Sequence, residues 1–146
     1  RGGLVAFPTE TVYGLGGDAT DADAAKKIYA AKGRPSDNPL IIHVTRPEDA
    51  EKYAVTNTLY YKLAKAFMPG PLTVILKKKD IVPDGVTGGL STVAVRCPSD
   101  ETARELIKLR VLQNCEYTSR EAAERLFSLE SLDITFCFDV FVYTKE

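Results

Sequence analysis

The chain has 146 residues, 45% of them hydrophobic and 27% charged, and a formal net charge of −1 at pH 7. This length and composition are sufficient for one sizeable hydrophobic core and exclude a disordered or fibrous protein. The charge balance excludes a uniformly basic nucleic-acid-binding surface, although a local basic groove is compatible with it. No apolar run is long enough to span a bilayer and no secretory signal pattern is present, so we expect one cytoplasmic domain without a membrane partner.

The three cysteines are widely spaced and include no Cys-x-x-Cys pair. They are Cys97, Cys115 and Cys137. This pattern favours reduced thiols over a zinc site or a disulfide framework.

The chain begins with a predicted strand, a polar turn, a helix, a basic turn and a second strand within residues 3–44. The apolar residues 4–7 form the first strand, which ends at Pro8 because proline cannot continue a central ladder. The hydroxyl groups that follow belong to Thr9, Thr11 and Tyr13. Ligands bind at strand ends in open α/β sheets, so these side chains are candidates for a binding pocket.

The basic turn follows a helix predicted over residues 21–31. Lys32 and Arg34 flank Gly33, and neutral donors follow in the same turn at Ser36 and Asn38. A lysine ammonium compensates phosphate charge and an arginine guanidinium binds two oxygens at once, so the turn suits a triphosphate. The alternative interpretation is a helix C-terminus with Gly33 as its left-handed cap.

The middle of the chain is predicted to add strands to the sheet and helices that cover it. Helices are expected at residues 50–55 and 59–67, strands at 72–76 and 92–97, a turn-rich loop at 81–91 and a capped surface helix at 102–109. The continuous apolar character of 72–76 indicates a strand buried on both faces. The three lysines at 77–79 are expected to be solvated, with a phosphate or RNA contact as the alternative.

Two polar side chains lie in apolar strands. His43 follows two isoleucines, and both a core position and a ligand-binding position are open for it. Arg96 lies near the end of the predicted strand 92–97, where an unpaired guanidinium would be costly to bury. We therefore expect an internal acid or a bound carboxylate beside Arg96.

Four segments together resemble the Sua5/YrdC/YciO family, whose best-known members are threonylcarbamoyl-AMP synthases of the tRNA N6-threonylcarbamoyladenosine (t6A) pathway. The segments are PTETVYGLGGDA at 8–19, AAKGRPSDNPLIIHV at 30–44, FMPGPLT at 67–73 and TVAVRCP at 92–98. The resemblance implies a single YrdC-like α/β domain over residues 1–109, with an open, twisted mixed sheet flanked by helices. Residues 1–3 resemble the end of a family helix that is otherwise missing.

The resemblance also implies a reaction and its residues. Threonine and bicarbonate or CO2 form a carbamate that attacks the α-phosphate of ATP, and Mg2+ accompanies the triphosphate. Such a transfer needs positioning and charge stabilisation rather than a protein nucleophile. The ATP-binding residues implied are Lys32, Arg34, Ser36, Asn38 and Thr92. The threonine-binding residues implied are Thr9, His43 and Arg96, with Thr11 and Tyr13 as additions to the pocket. No metal ligands are identified.

The resemblance further implies partners. RNA, including tRNA and double-stranded RNA, is an expected further partner, and other proteins of the t6A pathway carry out the transfer to tRNA.

The resemblance ends near residue 109. The family's Ser-Ala-Asn turn, which helps to hold nucleotide and threonine, occurs nowhere in the chain. Residues 110–146 instead predict a helix at 119–128 and an alternating strand at 134–143, forming either an alternative or frame-shifted terminus or a divergent segment that completes the sheet.

Two alternatives to the synthase remain open. One, which rests on the missing turn, is an inactive or truncated domain that binds nucleotide, RNA or a protein partner. The other is a carbamoyl-transfer module, similar to the related domain of hydrogenase maturation proteins.

Overall fold

The computed structural model describes residues 3–10, 13–33, 35–112 and 139–143 of the chain. In this part, one mixed sheet of seven strands is flanked by helices. The strands are β1 (Val5–Phe7), β2 (Gly14–Gly16), β3 (Ile41–His43), β4 (Ala54–Val55), β5 (Thr73–Lys78), β6 (Thr92–Arg96) and β7 (Asp139–Tyr143). The helices are α1 (Ala22–Lys32), a 3-10 helix (Pro47–Lys52), α2 (Thr58–Phe67), α3 (Asp84–Thr87) and α4 (Glu101–Leu112).

The strand order is β1-β2-β7-β3-β6-β5-β4. The central strands β7, β3 and β6 run parallel to one another, whereas β1 and β2 are antiparallel, as are β6, β5 and β4. The predicted open mixed α/β sheet flanked by helices is therefore confirmed. Because β3 and β6 are parallel and in register, their carboxyl ends meet at one edge of the sheet, with His43 opposite Arg96.

The largest buried cluster of apolar side chains lies on one face of the sheet. Ile42, Val95 and Val93 alternate with residues of the other face and are almost fully buried beneath α1 and its neighbours. The opposite face carries Ile75, which is 69% exposed. The prediction that residues 72–76 are buried on both faces is therefore wrong, because this part of β5 is covered on one side only.

Helix α1 forms as predicted, and its ends show why. The Asp21 side chain accepts a hydrogen bond from the backbone N–H of Asp23, which satisfies one of the donors that a helix start leaves unpaired. Gly33 adopts a left-handed conformation with φ of 59°, and its N–H bonds to carbonyl groups of the last turn. The capping interpretation of Gly33 is confirmed, and it places Lys32 in the last turn of α1.

One of the predicted helices is replaced by other structure. The segment predicted as a helix over 50–55 contains the end of the 3-10 helix and then β4, which pairs with β5. The backbone N–H of Lys79 also donates to the carbonyl oxygen of Tyr53 at 2.8 Å, so sheet pairing overrides the local helical pattern.

Helix α4 was expected at the surface, and its Glu101, Glu105 and Lys108 are exposed. Its other side buries Ala103 and Ile107 against β1.

The lysines at 77–79 do not form a uniformly solvated run. Lys77 is exposed, whereas Lys78 Nζ donates to the carbonyl oxygen of Val82 at 2.8 Å and pairs with Asp84 at 3.0 Å. Lys79 Nζ donates to the carbonyl oxygen of Glu51. The prediction of a solvated side chain is therefore wrong for Lys78. Its contacts hold the loop that contains α3.

Strand β7 falls within the predicted strand 134–143 and lies between β2 and β3. This is the position required by the alternative in which the tail completes the sheet. The predicted helix 119–128, Cys115 and Cys137 lie outside the described residues. In the described part, no helix has both the length and the apolar character needed to cross a membrane.

Candidate functional site

The candidate site is centred on Arg96 and His43, at the adjoining carboxyl ends of β6 and β3. The Arg96 residue is only 4% exposed, and His43 is fully buried. Their register pairing directs both side chains to the same face of the sheet, the one opposite the core. A buried cation and an imidazole thus lie next to each other at the carboxyl ends of two adjacent strands.

Glu10 supplies the acid expected beside Arg96. Its Oε1 atom lies 2.9 Å from Nη2 of Arg96, and its side chain is 18% exposed. Burial by itself would raise the pKa of Glu10, but hydrogen bonds from Arg96 and from backbone N–H groups, together with the Arg96 charge, lower it below its usual value. Glu10 is therefore an ionised counter-ion at neutral pH.

His43 is held as a neutral ring. Its Nδ1 lies 3.3 Å from the carbonyl oxygen of Ile41, and the Phe7 ring packs edge-on against it with centroids 6.4 Å apart. Burial lowers the pKa of His43 well below 6.5, and the positive charge of Arg96 lowers it further. The ring can therefore act by hydrogen bonding and shape, without a charge of its own.

The turn after β6 is fixed by α4. Asp100 Oδ1 accepts from the backbone N–H of Ala103 at 2.9 Å, and Arg104 Nη1 donates to the carbonyl oxygen of Pro98 at 3.2 Å. Cys97 is buried at the same place, and burial raises the pKa of its thiol. These contacts hold the end of β6 and keep Cys97 a thiol at neutral pH.

The basic turn rests on the loop around α3. The hydroxyl group of Tyr29 donates to the carbonyl oxygen of Asn38 at 2.8 Å, and the N–H of Leu40 donates to the carbonyl oxygen of Val86 at 2.9 Å. A Cβ atom at Gly88 would lie 2.6 Å from the carbonyl oxygen of Asp37, so the two backbones are in direct contact. The backbone of the turn is fixed in this way.

The side chains of the basic turn differ in exposure. Ser36 and Asn38 are exposed, and Lys32 is half-buried at the end of α1. Arg34, the second predicted phosphate ligand, lies outside the described residues.

The remaining predicted site residues are spread along the same region. Thr9 is half-buried beside Glu10, and Tyr13 is largely exposed; Thr11 lies outside the described residues. Thr92 begins β6 on the same face as Arg96, about 13 Å away at the rise of an extended strand. The structure therefore brings Arg96, His43 and Glu10 together and places Thr92 toward the other end of β6.

Glu10 was not predicted as a site residue, although an acid near Arg96 was expected. A signal was present, since Glu10 lies in the polar turn that follows a strand end. Glu10 and Arg96 are far apart in the sequence, so their pairing could not be predicted from it.

No metal site is preformed in the described ranges. They contain no group of three or more histidine, cysteine, aspartate or glutamate side chains that could hold a metal ion. The donor set at the strand edge, one arginine, one neutral imidazole and one carboxylate already bonded to arginine, does not fit a divalent cation.

The fold and the site define a class of ligand-binding α/β domain. An open sheet holds a buried guanidinium, that of Arg96, at the carboxyl end of β6. A basic turn follows α1. Arginine binds carboxylates and phosphates through paired hydrogen bonds, so the domain suits a small ligand that carries such groups.

The chain belongs to the Sua5/YciO/YrdC family. The family model Sua5_yciO_yrdC, described as Telomere recombination, matches residues 1–121.

Curated relatives from bacteria and archaea share the name threonylcarbamoyl-AMP synthase. The Pyrococcus abyssi protein is 57% identical over 110 residues, covering 75% of this chain and 32% of that protein. The Bacillus subtilis protein is 52% identical over 107 residues, covering 72% of this chain and 31% of that protein. A Pseudomonas entomophila protein is 32% identical over 133 residues, covering 88% of this chain and 72% of that protein. The chain thus spans about a third of the length of the first two relatives.

Solved structures share the fold. Pyrococcus abyssi Sua5 complexed with L-threonine superposes with a TM-score of 0.72 and 41% identity, covering 99% of this chain and 44% of that protein. Escherichia coli YciO superposes with a TM-score of 0.66 at 21% identity, covering 97% of this chain and 71% of that protein, and this likeness concerns the fold alone.

Proposed function

We propose that this chain is the catalytic domain of a threonylcarbamoyl-AMP synthase. The observation that carries the proposal is the buried Arg96 at a strand edge, beside His43 and the turn that contains Thr9 and Glu10. Family membership and the relatives' shared name support it. A further support is that a family structure has been determined with L-threonine.

The reaction joins three substrates. The amine of L-threonine adds to CO2 with loss of a proton, or condenses with bicarbonate with loss of water. An oxygen of the resulting carbamate attacks the α-phosphate of ATP. The bond between the α- and β-phosphates breaks, and pyrophosphate leaves with its electron pair. A nucleophilic protein side chain is not required, which agrees with a buried Cys97 thiol and a neutral His43. The domain's task is to position the carbamate and to neutralise charge.

We assign the phosphate-binding role to the basic turn. Lys32 and Arg34 would neutralise the triphosphate and stabilise charge on the departing pyrophosphate. Ser36, Asn38 and Thr92 would contact the nucleotide. The exposure of Ser36 and Asn38 on a fixed backbone supports this assignment.

We assign threonine binding to the carboxyl ends of β3 and β6. Arg96 would bind the carboxylate of threonine, with His43 and Thr9 lining the pocket and Thr11 and Tyr13 adding to its rim. The low exposure of Arg96 supports the assignment, because a charge-assisted hydrogen bond is stronger where water is excluded.

Mg2+ would enter with ATP as its triphosphate complex. The described residues offer no carboxylate cluster for an ion of their own. Phosphate oxygens and water are common ligands of Mg2+ in nucleotide sites.

The product would be used for t6A modification of tRNA in the cytoplasm. Other proteins of that pathway would carry out the transfer. We propose that RNA is also a partner of this chain.

The deciding experiment is pyrophosphate release from ATP, measured with and without L-threonine and bicarbonate, together with mass detection of threonylcarbamoyl-AMP. Release that depends on both added substrates, with formation of the adenylate, is the expected result. A folded sample that binds ATP but releases no pyrophosphate would contradict the synthase.

A second candidate is a family domain that binds nucleotide, RNA or a protein partner without catalysis. It is favoured by the absence of a Ser-Ala-Asn turn anywhere in the chain. ATP or RNA binding by a folded sample, without turnover, would support it.

A further inference from the structure

We infer that Glu10 is a specificity-determining residue, which makes the Arg96 edge selective for an amino-acid zwitterion over a simple carboxylate anion. The inference rests on the proposed function, since it concerns the same pocket. It adds the recognition of the substrate's ammonium group, for which the sequence offered no candidate.

The Glu10 carboxylate is paired with Arg96. Its Oε1 atom lies 2.9 Å from Nη2 of Arg96, and its side chain is 18% exposed. The ion pair therefore places a carboxylate acceptor directly beside the guanidinium.

The charges of Arg96 and Glu10 cancel. Arg96 contributes one positive charge, Glu10 one negative charge, and the buried His43 ring none. These three side chains together therefore carry no net charge before a ligand arrives.

A carboxylate anion and an amino-acid zwitterion differ in the charge that they add to this ion pair. A simple carboxylate anion adds a net negative charge next to the Glu10 carboxylate, in a place where water is partly excluded. An amino-acid zwitterion adds no net charge, and its ammonium N–H groups can donate to an acceptor beside the guanidinium that holds its carboxylate. The ion pair is complementary to the zwitterion and repels the anion.

The experiment measures binding of L-threonine and of 3-hydroxybutyrate, which has the same hydroxyl and carboxylate but no ammonium. Calorimetry on the full chain gives the ratio of the two affinities for the wild type, Glu10→Gln and Glu10→Asp. Asp23→Asn is a matched control, since Asp23 is an exposed acid that pairs with Lys26 on α1. ATP binding and thermal melting report on the fold of each variant.

The wild type and Asp23→Asn are expected to prefer L-threonine strongly. In Glu10→Gln the preference should fall by about tenfold or more, the size expected for one charge-assisted interaction. Glu10→Asp keeps the charge but shortens the side chain, and it should retain part of the preference. A Glu10→Gln variant that binds ATP and keeps the wild-type ratio overturns the inference.

Other outcomes separate the inference from the proposed function. Wild-type protein that binds both ligands equally overturns the inference, even where Glu10→Gln does not fold. Wild-type protein that binds ATP but neither ligand overturns both the inference and the proposed substrate. Threonine-dependent pyrophosphate release with an unchanged ratio in Glu10→Gln overturns the inference alone.

Discussion

Glu10 and Arg96 are 86 positions apart in the chain and form an ion pair of 2.9 Å at the edge of the sheet. The pair joins the turn after β1 to the end of β6. Two of the segments that resemble the family, 8–19 and 92–98, are thus in direct contact. The contact lies at the proposed threonine pocket.

Replacing Arg96 with alanine is expected to abolish the threonine dependence of pyrophosphate release while ATP binding is retained. The guanidinium is proposed to bind the amino-acid carboxylate, whereas the residues of the basic turn are proposed to bind the triphosphate. Loss of Arg96 also leaves Glu10 without its cation and should lower the free energy of unfolding by about 1–3 kcal/mol. Calorimetric titration with each substrate checks the split, and equal loss of ATP and threonine binding would contradict the assigned role.

Replacing Lys32 with alanine should weaken ATP binding about tenfold, because one charge-assisted phosphate contact is lost. The fold should persist, since Gly33 and the backbone of α1 supply the helix cap. Lys26→Ala on the same helix, at an exposed ion pair, is the matched control. A Lys32→Ala variant that melts at lower temperature with unchanged ATP affinity would leave only the capping role.

Replacing Gly88 with alanine should reduce ATP affinity, because its Cβ atom would press on the carbonyl oxygen of Asp37 and displace the basic turn. Gly89→Ala is the control. Both residues have positive φ, 61° at Gly88 and 82° at Gly89, but a Cβ at Gly89 meets no atom within 4 Å. Each variant should lose about 1–2 kcal/mol of stability through backbone strain. ATP affinity should fall in Gly88→Ala alone, and an equal fall in both would show that strain, not displacement, is the cause.

The stability of the chain should decrease as pH falls below about 6.5 because of His43, the one histidine in the sequence. Its pKa in the folded chain lies well below 6.5, so below that pH the unfolded chain binds a proton that the folded chain does not. The slope should reach up to about 1.4 kcal/mol per pH unit. The lowered pKa values of Glu10 and Asp49 act in a more acidic range, at and below their ordinary values of 4.5 and 3.8.

Urea unfolding at several pH values between about 5.5 and 7.5 measures this slope. A His43→Gln variant should lose most of it. An unchanged slope in that variant would show that another group is responsible.

Neighbouring residues of β5 should differ sharply in their contribution to stability. Leu76→Ala should lower the free energy of unfolding by about 2–4 kcal/mol, because Leu76 is buried in the core. Ile75→Ala should cost less than about 1 kcal/mol, since Ile75 lies on the open face. Chemical denaturation of both variants tests the comparison, and similar losses would mean that the second face is covered in solution.

Much of the local structure could be predicted from the sequence. Helix α1 with Asp21 at its start and Gly33 at its end, helix α2, and strands β1, β3 and β6 follow from short-range patterns. The need for an acid near Arg96 followed from the cost of burying an unpaired charge. These features depend on residues within a few positions of one another, or on one residue's own chemistry.

Only the tertiary structure decided which acid meets Arg96, which face of β5 is buried, and that residues 54–55 join the sheet. It also decided that β7 lies between β2 and β3. Each of these depends on groups that are far apart in the chain and meet only when strands pair. A local sequence pattern cannot specify a partner 86 residues away. Burial of a sheet face and pairing of a buried charge bring such distant residues together when the chain folds.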